Sequence, residues 1–95
     1  MDPEQVKRVL SNVMDPELGL DIVSLGLVYR IECNGDDVEV DLTMTTPTCP
    51  LGNYIREEVE RRVVATGARA TVKLVWLPRW DPSRMSDEAK AELGW

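Results

Sequence analysis

Cys49 is the residue best equipped for chemistry in this chain. It is followed by Pro50, and proline is favoured at the first position of a helix, where its missing N–H costs nothing. The pair therefore predicts a thiol at a helix N-cap. Unpaired backbone N–H groups and the positive end of the helix dipole stabilise a thiolate at such a place. Thr45, Thr46 and Thr48 add hydroxyl donors within a few residues. Serine, threonine and aspartate cap helices better than cysteine, so a reactive or ligating thiol is favoured over a mere cap. Cys33 falls in phase with Leu27, Tyr29 and Ile31 and reads as a core residue, the usual fate of a free thiol. A Cys33–Cys49 disulfide would be unusual in a reducing cytosol.

A second candidate is Asp15-Pro16-Glu17. Two carboxylates around a proline can supply hard oxygen ligands or a general base. The competing reading, a helix stop with solvated charge, is preferred from the residues alone. The pair joins the chemistry only if the loop from Asp15 to Gly26 folds beside Cys49. Among the tryptophans, Trp76 has strand phase and is expected in the core. Trp80, between Pro78 and Pro82, either clamps the tail to the sheet or presents a contact to a partner.

Composition removes most other chemistries. The chain has no histidine and two cysteines, which excludes Ser-His-Asp and Cys-His machinery, histidine metal sites and a self-contained four-thiolate centre. Seventeen acidic against eleven basic residues give a net charge of −6, the wrong sign for counterion-release binding to nucleic acid. The longest apolar run is the four residues from Leu74 to Leu77, far short of the roughly 20 needed to span a membrane. No secretory signal pattern opens the chain, so a cytoplasmic location is expected. Ninety-five residues suit one domain, 1–95, with 78–95 as a tail rich in tryptophan and proline.

The elements that must position Cys49 can be read from periodicity. Asp2-Pro3-Glu4 starts a helix, Val6, Val9, Leu10 and Val13 follow at helical spacing, and Asp15-Pro16 is expected to stop it. Leu27, Tyr29, Ile31 and Cys33, then Val38, Val40, Leu42 and Met44, alternate around Asn34-Gly35-Asp36, the pattern of a β-hairpin. Leu51, Ile55, Val59 and Val63 fall four apart and predict a helix over 50–66, ending near Gly67. Ala70, Val72, Leu74 and Trp76 predict a third strand, and Ser86 to Gly94 a short helix. The order α-β-β-α-β plus tail predicts an α+β, two-layer sandwich with helices on one face of a three-stranded sheet.

Three segments together resemble one family. Asp15-Pro16-Glu17 with 21–28 looks like its first motif, Met44 to Leu51 is similar to its central Thr-x-x-x-Cys-Pro signature, and 76–90 resembles its Trp-Pro-rich tail. The family is the small iron–sulfur cluster assembly domain of SufT and PaaD, also found attached to cluster-carrier ATPases. The resemblance implies an assembly or maturation factor, a transfer or targeting adaptor and not a turnover enzyme. By motif match Cys49 is its reactive or ligating residue, supported by Thr45, Thr46, Thr48, Asp15 and Glu17, with Trp80 and Met85 meeting partners. No stably bound cofactor is implied, only a transient, shared iron–sulfur cluster or iron at Cys49. The implied partners are a scaffold or carrier ATPase and client apoproteins, with room for a homodimer and none for nucleic acid or membrane. PaaD proteins continue into a cysteine-bearing segment that these residues lack, which favours the SufT-like branch. The alternatives are a thiol-based sulfur-transfer or redox enzyme and a PaaD-like factor for a ring oxygenase.

Overall fold

The computed structural model describes residues 2–45 and 52–95. The chain runs through α1 (Pro3–Leu10), β1 (Met14–Asp15), β2 (Leu20–Asp21), β3 (Val28–Asn34), β4 (Asp37–Leu42), α2 (Gly52–Val64), β5 (Arg69–Leu74) and α3 (Asp87–Leu93). The expected α+β architecture is present: a three-stranded sheet in the order β3-β4-β5 with helices packed on it. A two-stranded ribbon of β1 and β2, which periodicity did not predict, is added around the start of the loop expected from Asp15 to Gly26.

Capping chemistry sets the first helix. The Asp2 carboxylate accepts the N–H of Gln5 at 2.9 Å, and the Gln5 side chain accepts the N–H of Asp2 at 3.0 Å, a reciprocal box that satisfies two otherwise free donors. The helix ends at Leu10, before the expected stop at Asp15-Pro16. The reason is local: the Ser11 hydroxyl donates to the Lys7 carbonyl and the Asn12 amide to that of Arg8, closing the last turn early. Val13 stays buried beyond the helix.

In the sheet, β3 and β4 are antiparallel, and β4 and β5 parallel. The register builds three apolar rows across the strands: Cys33–Val38–Ala70, Ile31–Val40–Val72 and Val28–Leu42–Leu74. Val6 and Leu10 of α1 and Ile55, Val59 and Val63 of α2 close over these rows, all without solvent exposure. A register shift between Val28 and Arg30 breaks the simple alternation of β3. Such a bulge carries one residue more than its partner strand, so Val28, and not Tyr29, joins the core face with Ile31 and Cys33. Tyr29 turns toward the tail instead. Trp76, expected in the core, lies past the end of β5 and is 40% exposed. No helix of the described residues is long and apolar enough to cross a membrane.

Candidate functional site

The tail folds back over the loop that precedes β3. Asp81 starts a single turn, Pro82–Arg84, by accepting the N–H of Ser83 at 2.8 Å. Ser86 then caps α3 by accepting the N–H of Ala89 at 3.1 Å. These two caps aim Met85 and Ala89 inward, where both are buried in the core. Met85, expected to meet a partner, is thus a packing residue: burying its apolar chain outweighs exposing it by about 2 kcal/mol.

Four contacts hold the tail down. The indole N–H of Trp80 donates to the carbonyl of Leu25 at 2.7 Å. The N–H of Ser86 donates to the carbonyl of Ser24 at 2.8 Å. The Tyr29 hydroxyl donates to the carbonyl of Pro78 at 2.8 Å. The Arg84 guanidinium lies 4.6 Å from the centre of the Tyr29 ring, a cation–π distance. Trp80 is therefore a clamp, with Trp95 against it at 6.4 Å between ring centres.

The clamp delivers Trp76, Arg79 and Trp80 to Met44 and Thr45, where the five side chains line a cavity of about 20 Å³. That is close to the space of one water molecule. Thr45 is the first residue of the Thr-x-x-x-Cys-Pro motif, so tail and motif meet at this point. Arg79 is a neighbour that sequence reasoning did not single out. Its place beside two tryptophans was visible, but its approach to Thr45 depends on the fold-back of the tail. Thr46, Thr48 and Cys49 lie outside the described residues, and so does the expected N-cap role of Cys49.

Asp15 is only 3% exposed. Its Oδ1 accepts the N–H groups of Glu17 at 2.8 Å and Leu18 at 3.3 Å, while the Asp15 carbonyl accepts the N–H of Gly19 at 2.8 Å. The carboxylate thus organises the turn between β1 and β2, which accounts for a buried acid by hydrogen bonding. Glu17 stands exposed on the same turn. Among the described residues no hydrogen bond joins Asp15 to Thr45, and no group of three His, Cys, Asp or Glu side chains is placed to hold a metal ion.

Charge on the surface is organised separately. The hydroxyl and then the N–H of Ser83 bond the Asp81 carboxyl and hold it below the usual carboxylate range. On α2, Arg62 bonds Glu58 and holds it low as well, with Arg61 adding to the effect. On the open face of the sheet Arg30 is held protonated above its ordinary value, chiefly by its hydrogen bond to Asp41.

Residues 3–74 match the model of the family described as iron–sulfur cluster assembly protein. The Fe-S protein maturation auxiliary factor YitW of Bacillus subtilis is 38% identical over 94 residues, covering 96% of this chain and 92% of the relative. The Fe-S protein maturation auxiliary factor SufT of Staphylococcus aureus is 41% identical over 85 residues, covering 86% and 97%. Among solved structures, a domain of unknown function from Bacillus anthracis superposes with a TM-score of 0.89 at 38% identity, covering 96% of this chain and 90% of that one.

Proposed function

The chain belongs to the iron–sulfur cluster assembly protein family, and we propose that it is a maturation factor that hands an iron–sulfur cargo to client proteins through Cys49. The observation that carries this reading is the motif itself, Thr45 to Pro50, in a chain whose similar proteins are maturation auxiliary factors over nearly their whole length. The cavity that Thr45 lines together with Trp76, Arg79 and Trp80 adds a second support, since it sets the tail beside the motif's first residue.

Ligand count sets the mode of action. Stable clusters are held by four cysteine thiolates or their equivalents, and this chain has two cysteines, of which Cys33 packs against the core. A single thiolate is a ligand the cargo can leave. The remaining ligands come from a carrier, a client or a second copy of this chain, so the protein works as an adaptor and not as a turnover enzyme. Thr45, Thr46 and Thr48 supply hydroxyl donors to a thiolate or sulfide. Asp15 serves by fixing its turn, with Glu17 displayed at the surface.

Anaerobic reconstitution with ferrous iron and sulfide, in the presence of a client apoprotein, tests the reading. Wild-type protein and Cys33→Ser are expected to promote client maturation, and Cys49→Ser to lose it while keeping its fold. Equal maturation by wild type and Cys49→Ser overturns the reading.

A further inference from the structure

We propose that Arg79 is a positioning residue of the Thr-x-x-x-Cys-Pro motif, its guanidinium charge holding the Cys49 sulfur as a thiolate. The inference rests on the transfer reading of Cys49 and adds to it the group that tunes the thiol. The described residues on either side of 46–51 meet at one place. Met44 and Thr45 line the cavity of about 20 Å³ together with Trp76, Arg79 and Trp80. Gly52, the first residue of α2, is buried, and a Cβ placed on it would stand 3.4 Å from Cγ of Met44. The chain thus leaves and re-enters the described fold around one side chain of the wall that Arg79 completes.

The backbone on both sides of Arg79 is tied down. The residue before it, Pro78, accepts the Tyr29 hydroxyl at 2.8 Å. The residue after it, Trp80, donates its indole N–H to the Leu25 carbonyl at 2.7 Å. Arg79 itself makes no salt bridge or side-chain hydrogen bond among the described residues. The two tethers therefore fix the place of a residue whose own side chain is uncommitted, and a charge fixed in place loses less entropy on meeting its partner.

Its freedom is unusual in a chain of net charge −6. Arg30, Arg56, Arg61, Arg62 and Arg69 each pair with an acid, and Arg84 rests on the Tyr29 ring. Asp81, two residues beyond Arg79, is bonded by Ser83, and the cations that act on it are Arg84 and Lys90. Among the residues lining the cavity, Arg79 is the one that ionises. A nearby cation lowers a thiol's pKa by favouring its charged form, and the Thr45 hydroxyl on the same wall can donate to the same sulfur. Sequence supplies the thiol, and the fold-back of the tail supplies its counter-charge.

The test uses the full chain carrying Cys33→Ser, so that Cys49 is its one thiol. Alkylation by iodoacetamide, a neutral reagent, is followed as a function of pH, with the fold checked by the Trp80 indole resonance. Arg79→Gln is expected to raise the midpoint by about 0.2–0.7 pH unit, the scale of one surface charge pair. Below the midpoint the same change slows alkylation by up to about fivefold. Arg79→Lys should stay near the unsubstituted protein, and Arg79→Glu should exceed Arg79→Gln. The differences should shrink in about 1 M salt, where the screening length falls to about 3 Å. Equal midpoints for arginine and glutamine, failure of lysine to restore the midpoint, or shifts indifferent to salt each overturns the proposal. No client or iron enters this measurement. A failure of charge order here is therefore a separate result from equal client maturation by wild type and Cys49→Ser, which overturns the transfer reading.

Discussion

The indole N–H of Trp80 and the carbonyl of Leu25 meet at 2.7 Å across 55 residues of sequence. This bond fixes the far end of the chain to the loop that enters the sheet. Trp80→Phe keeps most of the ring and removes the donor, leaving the carbonyl of the buried Leu25 without its partner. A loss of about 1 kcal/mol is expected, read from urea unfolding followed by circular dichroism. Trp80→Ala should lose more, because packing against the core and Trp95 goes with it. Equal stability of Trp80→Phe and wild type would show that the clamp contributes nothing.

Gly26 and Gly19 offer a matched comparison. Both have positive φ, +74° and +71°, but a Cβ at Gly26 would lie 2.2 Å from the carbonyl oxygen of Arg84, whereas one at Gly19 meets nothing within 4 Å. Gly19→Ala is expected to cost only the left-handed strain of about 1–2 kcal/mol. Gly26→Ala adds a backbone collision and must displace the tail. Its melting temperature should fall well below that of Gly19→Ala, and the same drop in both would contradict the close approach.

Asp15→Ala removes the acceptor of two backbone N–H groups in a buried turn. The expected loss is about 1–3 kcal/mol, measured by chemical denaturation. Asp15→Asn keeps an acceptor and should stay near wild type in stability. If it also keeps client maturation, the charge of Asp15 plays no part in transfer and only its turn geometry does.

The acid limb of the stability curve carries a sign that can be checked. Asp81 and Glu58 have carboxyl groups held below their ordinary values of 3.8 and 4.5 by Ser83 and by Arg62. Folded pKa values below unfolded ones mean stability that is present above the ordinary values and lost as pH falls through the depressed ones. Carboxyl-carbon NMR titration should place the Asp81 midpoint below 3.8, and Ser83→Ala should raise it. A midpoint unchanged by Ser83→Ala would remove the hydroxyl as the cause.

Much of this architecture was legible in the residues because it rests on local rules. Asp2 with Pro3 announced α1, Asn34-Gly35 the hairpin, and Ile55, Val59 and Val63 the buried face of α2. What escaped depends on contacts distant in sequence or on one inserted residue. The bulge at Tyr29 reverses the phase of β3 at a single step, which periodicity cannot register. The early end of α1 turns on two side chains, Ser11 and Asn12, that bond back to the helix. At the candidate site, the approach of Arg79 and Trp80 to Thr45 and the inward turn of Met85 follow from tertiary docking of the tail. Cys49, at the centre of the motif, was read from its place before Pro50 and from the family likeness.

The family match ends at Leu74, the last residue of β5, yet Met85 and Ala89 beyond it are buried with Ile22 and Leu25. The core over 3–74 is therefore a vessel whose stopper comes from residues 85–89. Cut after Leu74, this chain would carry an uncorked apolar hollow.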